Sequence, residues 1–272
     1  MRLPLAFLGL AAGLGLGVPP AGAQTAGLRK LTVAEVRAEV AKGSAQNPAD
    51  LSRTDLSGLD LAGLDFRSAT LTGSRLAGAK LAKANLLSSD LTDAVLADAD
   101  LREANLDVTT LRRADLQHAN LEGASLFATI IEAADLRGAN LSRTRIIGYL
   151  KNARLAGANL REANIGADPG NQSMGVMRAQ FVGADLHGAD LTGANLFKAD
   201  FSYANLGEAK LVNADLSNSD LVQTDFTRAD LTGANLAKAD VSGAIFRDII
   251  GRTQIKGLDE ARNRDKAIFD AN

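Results

Sequence analysis

Side chains able to carry out chemistry are few in this sequence of 272 residues. There is no cysteine, which excludes disulfides, thiolate metal sites and cysteine nucleophiles. The two histidines, His118 and His187, are too few for a multi-histidine metal centre, and neither stands in a catalytic motif. Aspartate and asparagine recur at a fixed spacing, so pairs of carboxylates arise from the repeat itself. The sequence therefore predicts no catalytic residue, no cofactor-binding residue and no metal ligand.

The fixed spacing comes from a five-residue repeat that extends from Leu51 to Phe246. A large apolar residue occupies the centre of 37 units, and it is leucine in 28 of them. The residue two places earlier is alanine in 27 units, and the residue directly before the centre is aspartate or asparagine in 25. Ala229-Asp230-Leu231-Thr232-Gly233 is a representative unit. A sustained short period of this kind indicates a solenoid.

Neither ordinary secondary structure explains a period of five. An α-helix would rotate the central residue by about 140° per unit and spread the leucines around its circumference. A simple strand would send alternate leucines to opposite faces. A chain that turns a corner after every unit instead directs all leucines and alanines inward. Four such sides close a square coil, and successive coils stack about 4.8 Å apart through strand-like hydrogen bonds.

This pattern resembles the pentapeptide repeat family over roughly Ala49–Phe246. The resemblance implies an all-β solenoid, a right-handed quadrilateral β-helix. If Leu150 is a central residue after a one-residue deletion, 24 sides precede an interruption and 14 follow it, which makes about 9.5 coils. We expect six coils over residues 49–165 and about 3.5 coils over residues 179–248.

The remaining segments are predicted to interrupt or cap the coils. Gly166–Arg178 lacks the repeat and contains Pro169 and three glycines, which is typical of a loop inserted at a corner. Within residues 24–48, the sequence from Thr32 to Glu35 is a capping box that predicts an α-helix ending near Gly43. Residues 249–272 are predicted to form a second helical cap, whose buried side would carry Leu258, Ala261 and Ile268.

Residues 1–23 have the features of a secretory signal peptide. Arg2 supplies the positive charge, Leu3–Val18 is apolar, and Ala21-Gly22-Ala23 is typical of a cleavage site. The apolar run is shorter than the roughly 20 residues that span a bilayer. The sequence therefore predicts an exported protein, periplasmic or secreted, without a stable membrane span. Retention of the segment is the alternative.

One wall of the predicted coil carries an unusual number of outward apolar residues. Its central residues run from Phe66 to Ile146 at intervals of 20. The outward apolar residues are Leu87, Val108, Phe127, Ile147 and, if the corner loop is a clean insertion, Phe197. A contiguous apolar strip favours an interface. Its cover would be the chain's own loop or N-terminal segment, or else a partner protein or a second copy.

The second stack of coils is acidic. Residues 181–246 carry 4 basic and 9 acidic side chains, a net charge of −5. Asp200, Asp220 and Asp240 are spaced by 20 and predict a ladder with about 4.8 Å per step. This acidic ladder would bind a cation weakly, present an acidic strip to a partner, or form a solvated face.

Three functions follow as hypotheses. The first is an exported, non-enzymatic scaffold or protein-binding solenoid that contacts proteins or itself. A net charge of −2 and a pI of about 5.8 argue against nucleic acid as a partner. The family resemblance implies an alternative, a DNA mimic that binds DNA gyrase and protects it from quinolones. The predicted export argues against it. So do basic residues at repeat positions that elsewhere hold acids or amides: Arg75, Lys80, Arg145 and Arg154. An enzyme without a recognisable site is the second alternative.

Overall fold

A computed structural model describes residues 27–44, 46–167 and 177–270 of the chain. Parallel β-bridges connect residues that are 20 apart along most of this range, as Asp50 to Thr70 and Thr70 to Asp90. Each bridging residue directly precedes a central residue, so bridging residues are five apart along the chain. Four of them follow one another before the next one bridges to the first. The chain therefore winds as a four-sided coil that is hydrogen-bonded to the next coil. The predicted signal peptide, residues 1–23, lies outside the described residues.

The interior of the rod is a stack of leucines with alanines beside them. Leu116 and Ala114 of one unit are both completely buried. Where serine or threonine replaces the alanine, its hydroxyl donates to a backbone carbonyl, as Ser74 Oγ does to Leu71 O (2.7 Å). Burying one leucine contributes about 1.5–3 kcal/mol, so repeated apolar burial stabilises this chain without disulfides.

The aspartates and asparagines before the central residues support the corners. In most of them the Oδ1 atom accepts the N–H of the residue two places further on, as Asp200 does from Ser202 (3.0 Å) and Asn205 does from Gly207 (3.0 Å). The following residue takes the left-handed backbone that the corner requires, for example Gly58 with φ of 68°. Short side chains with a carbonyl or carboxylate oxygen suit this turn. The repeat thus places these residues for a structural reason.

The N-terminal end of the stack is closed by one strand and one helix. Strand β1 (Arg29–Lys30) pairs in parallel with β2 (Thr54–Asp55) in the first coil. Helix α1 (Val33–Lys42) begins at Thr32, which forms the expected capping box with Glu35, and Gly43 follows its last residue. Val36 is completely buried in the core cluster. Val40, Leu59 and Leu64 pack against that cluster, and the two leucines occupy positions that other coils give to small residues.

The period is interrupted twice at the same corner of the coil. Strands β3 (Ser125–Ile130) and β4 (Arg145–Tyr149) pair in parallel, with a register shift between Phe127 and Thr129 that absorbs one missing residue. Bridging residues just after this point are 19 apart. One coil later, Tyr149 bridges Gln180, a separation of 31. The insertion therefore adds 11 residues to a coil of 20.

The described residues on both sides of the insertion follow the coil. Gly166 and Ala167 are buried, and the N–H of Ala167 donates to Phe197 O (2.8 Å). Met177 and Arg178 precede Ala179, where the repeat resumes. Part of the predicted corner loop, residues 168–176, lies outside the described residues. No helix in the described ranges is long and apolar enough to cross a membrane.

The prediction of a helical cap over residues 249–272 is wrong. The described part of this segment contains no α-helix. After β5 (Ile245–Phe246) it contains two 3-10 helices, Arg252–Gln254 and Arg264–Lys266, and then β6 (Ile268–Phe269), which pairs with β5. Of the residues expected on a buried helical side, Leu258 and Ala261 are partly buried, whereas Ile268 is 41% exposed.

The segment instead forms one further coil with longer sides. Its bridges join residues separated by 20, 21, 22 and 23, from Asp230 with Ile250 to Ile245 with Ile268, so each side has six residues. We call residues 249–270 the terminal coil. Positions that hold leucine in the pentads are taken by residues with positive φ: Gly251, Gly257 and Asn263. Apolar residues recur six apart and pack against the core: Ile249, Ile255, Ala261 and Ala267.

Candidate interaction surface

The apolar strip and the acidic ladder lie on the same side of the rod. A single column of bridged residues passes along it, through Thr110, Ile130, Tyr149, Gln180, Asp200, Asp220 and Asp240. We call this side the Tyr149 face. Its middle is apolar and its C-terminal part is acidic. From the sequence alone the two features look unrelated, because the 11 extra residues hide the fact that Tyr149 and Gln180 are in register.

The apolar corner is the edge where the chain enters this face, and it contains Leu87, Val108, Phe127, Ile147 and Phe197. Phe127 lies in register with Ile147, and the hydrogen bond from Ala167 to Phe197 continues the column past the insertion. Leu87, Phe127 and Phe197 are partly exposed. Ile147 is only 2% exposed. The strip is therefore open to solvent on either side of a covered centre.

Val108 does not occupy the position expected for it. The position in line with Leu87 and Phe127 belongs to Asp107, whose Oδ1 accepts the N–H of Phe127 (2.8 Å). Val108 is at the corner itself, 50% exposed, with φ of 59°. It is the only β-branched residue with positive φ in the described ranges, and such a residue is strained there. Strain of this kind is found mainly at functional sites.

Two further residues extend the apolar corner, and the sequence analysis missed both. Ile130 and Tyr149 stand where the repeat favours aspartate or asparagine, and they are bridged to each other. Tyr149 is 45% exposed. The signal was present in the sequence, because Ile130 breaks the repeat and the one-residue deletion places Tyr149 directly before Leu150.

Both phenylalanine rings of the corner have a cation over them. The guanidinium carbon of Arg145 lies 4.8 Å from the centroid of the Phe127 ring, and Lys198 Nζ lies 5.2 Å from that of Phe197. Such contacts contribute about 0.5–1 kcal/mol at exposed sites. The corner therefore combines apolar surface with positive charge at its rim.

The backbone behind the corner is closely packed. Thr109 Oγ1 donates to Leu86 O (2.7 Å) and Thr129 Oγ1 donates to Leu106 O (2.8 Å), which ties each coil to its predecessor. Gly148 follows in the same column, and a Cβ atom at this position would collide with the carbonyl oxygen of Thr129. The exposed side chains are thus held on a rigid support.

The acidic ladder is present in the expected alignment, but its carboxylates already have partners. Arg178 Nη1 donates to Asp220 Oδ2 (2.5 Å) and its Nη2 donates to Asp200 Oδ2 (3.1 Å). Arg262 Nη2 donates to Asp220 Oδ1 (3.3 Å). Asp240 Oδ1 accepts from Asn263 Nδ2 (2.9 Å). Two arginines of the same chain therefore offset much of the ladder's charge, and an amide hydrogen bond satisfies one oxygen of Asp240.

The two histidines lie on the surface, away from the apolar corner. His118 is exposed at a corner with φ of 57°. His187 Nε2 lies 3.6 Å from Glu208 Oε2, and Arg228 pairs with the same carboxylate at 2.6 Å. Within the described ranges, no group of three histidine, cysteine or acidic side chains is arranged to hold a metal ion.

Comparison with known proteins defines the class to which this solenoid belongs. The family profile of pentapeptide repeats matches five segments on either side of a gap at residues 144–176: residues 49–87, 89–126, 109–143, 177–211 and 209–248. These matches cover more than half of the chain, which therefore belongs to the pentapeptide repeat family. Members of this family form right-handed quadrilateral β-helices. No curated protein matches the chain significantly.

The chain is similar to several solved structures of pentapeptide repeat proteins. HetL, a protein involved in heterocyst differentiation regulation in the cyanobacterium Nostoc, is 28% identical, with 88% of this chain and 94% of HetL covered and a TM-score of 0.47. A thylakoid lumen protein of Arabidopsis thaliana is 30% identical over 46% of this chain and 70% of its own, with a TM-score of 0.29. The fluoroquinolone resistance protein QnrB1 is 19% identical over 68% of this chain and 86% of its own, with a TM-score of 0.41.

Proposed function

We propose that this protein is an exported, non-enzymatic scaffold that binds a partner protein through the apolar corner. The observation that carries the proposal is Val108, because it is both strained and exposed. Folding alone would favour glycine or a polar residue at this position, as most of the other corners show. Phe127, whose carbonyl oxygen accepts the Val108 N–H, and Tyr149 further along the corner supply aromatic surface of the kind that anchors protein interfaces.

The composition of the corner fits a protein partner. Its apolar centre and basic rim, formed by Arg145 and Lys198, match the usual plan of an interface with an apolar core and a polar edge. The rigid backing by Thr109, Thr129 and Gly148 lowers the entropy cost of binding, because little backbone needs to be ordered.

The alternative of a DNA mimic that binds gyrase has less support. A mimic needs regularly spaced, unpaired negative charge, whereas Asp200 and Asp220 are bonded to Arg178. Predicted export would also separate the protein from gyrase. Cell fractionation distinguishes the two proposals, because a mature chain that begins at Gln24 outside the cytoplasm is compatible only with the scaffold.

The decisive experiment uses the substitution Val108→Gly, alone and with Tyr149→Ser. Glycine relieves the positive-φ strain, so the variant should be as stable as the wild type or more stable by about 1 kcal/mol. A partner captured from the exported fraction by the wild type should be lost with the double variant. Asp98→Gly is the matched control, because Asp98 has the same backbone conformation (φ 59°) on another side of the coil.

Other outcomes identify other covers of the apolar corner. If the variants fall in mass during sedimentation, the cover is a second copy of the chain. If they lose stability and become sensitive to proteases, the cover is internal. Either result, or a partner that the double variant retains, overturns the proposal.

A further inference from the structure

Two arginines from distant parts of the chain converge on one carboxylate of the acidic ladder. Arg178 donates to Oδ2 of Asp220, and Arg262 donates to Oδ1 of the same residue. Each arginine is 42 residues from Asp220 in the sequence, in opposite directions. The Asp220 side chain is 30% exposed and that of Arg178 is 31% exposed, whereas that of Arg262 is 53% exposed, so solvent screens the Arg262 pair more than the Arg178 pair.

The two arginines belong to the two irregular parts of the rod. Arg178 is the last residue before the repeat resumes at Ala179, so it marks the C-terminal end of the insertion. Arg262 lies in the terminal coil, where it bridges Asp240 and its Nε donates to Lys238 O (3.0 Å). The charge of Asp220 is therefore the point at which Arg178 and the terminal coil meet.

We propose that Arg178 and Arg262 compete for Asp220, so that the attachment of Arg178 and that of the terminal coil are coupled with opposite sign. Two guanidinium groups on one carboxylate repel each other, and each reduces the negative potential that holds the other. Loss of one contact leaves the full charge of Asp220 to the remaining arginine. Release of Arg178 from Asp220, for example by a molecule bound at the neighbouring apolar corner, thus tightens the terminal coil.

The coupling is reciprocal by thermodynamic necessity, so it is tested from both ends. In Arg178→Gln, hydrogen exchange of the amides of Arg262 and Ile268, which donate to Ala239 and Ala244, should slow about two- to fivefold. In Arg262→Gln, trypsin cleavage after Arg178 should slow by a similar factor. In Asp220→Asn, exchange of the terminal coil and cleavage after Arg178 should both accelerate.

Arg228→Gln is the matched control, because it removes the same charge from a pair with Glu208 on another side of the coil. It should leave both measurements unchanged. The effects should disappear at roughly 1 M NaCl, where the screening length is about 3 Å. Faster exchange of the terminal coil in Arg178→Gln would mean that the arginines cooperate, and unchanged exchange would mean that they act independently. Either result overturns the proposal.

Discussion

At the scale of single residues, the residue type at each position of the repeat follows from the atoms that its side chain contacts in the coil. The apolar column accepts leucine, the position beside it accepts alanine or a hydrogen-bonded hydroxyl, and aspartate or asparagine supports the corner. Gly148 is a special case, since it stands in the small-residue column with the carbonyl oxygen of Thr129 directly against it. The one-residue deletion brings these two backbones together.

Gly148→Ala should therefore destabilise the protein although alanine is the usual residue in this column. A methyl group would have to displace the Thr129 backbone, and overpacking of this kind costs about 1–3 kcal/mol. Urea unfolding with a comparison of midpoints measures the effect. Gly157→Asn is the control, because Gly157 (φ 67°) meets nothing within 4 Å and asparagine takes the same conformation at Asn152. Equal losses in the two variants would contradict the assigned contact.

At the scale of elements, the terminal coil is the part with the least regular support. The position that holds leucine in the pentads is taken by Gly251, Gly257 and Asn263 on three of its sides, and the residues that pack against the core, such as Ile249, Ile255 and Phe269, are only partly buried. The ring of Phe269 stacks on Phe246 at 5.1 Å, with Arg252 over its other side at 5.0 Å. The coil thus covers the end of the core with a thin layer that ends in a charged group.

Ile255→Asp should release the terminal coil while the pentapeptide coils stay folded. Loss of this apolar contact and burial of a carboxylate should weaken the amide protection of Lys256 and Arg262 at least about tenfold. Hydrogen exchange measured by mass spectrometry resolves this segment from the rest. Thr253→Asp, at an exposed neighbouring site, should change little. Global unfolding of Ile255→Asp would show instead that the cap and the stack form one cooperative unit.

At the scale of the whole molecule, the charged surface predicts how stability depends on pH. Several carboxyl groups have lowered pKa values, and most lie in the corner position before a central residue: Glu35, Asp50, Asp55, Asp65, Asp100, Asp135 and Asp190. For Asp135, burial raises the pKa, but hydrogen bonds from Arg137 and the nearby Arg154 outweigh it and lower the pKa overall. All of these pKa values are shifted downward, so the contributions of the groups to the pH dependence of stability add up.

Acid should therefore destabilise the protein. A carboxyl group with a lowered folded pKa contributes stability above its unfolded value of 3.8, and this contribution is lost as the pH falls through the folded value. The melting temperature should be nearly constant from neutral pH to about pH 5 and should fall below about pH 4. Asp135→Asn should flatten this acid limb more than Asp98→Asn does. A melting temperature that rises below pH 4 would reverse the assigned sign.

Much of this architecture is determined by the sequence alone, because the five-residue period acts through local geometry. A corner after every unit, an inward apolar residue and a smaller inward residue beside it are requirements of each coil, and most units meet them with leucine and alanine. The capping box of Thr32 and Glu35 is local as well, which is why α1 is predictable. The same reasoning fails for the terminal coil, where the helix signal of Leu258–Glu260 competes with a six-residue period that appears only once. Packing against Phe246 and the positive φ of Gly257 decide that competition.

Relations between distant residues were decided by the tertiary structure. The sequence does not say whether 11 extra residues preserve the register, yet that register places Tyr149 beneath Gln180 and the acidic ladder on the same face as the apolar corner. Nor does it show that Arg178 and Arg262 reach Asp220 from opposite directions. Side-chain contacts across 42 positions depend on how successive coils stack and where the chain ends are held, and no local preference encodes them.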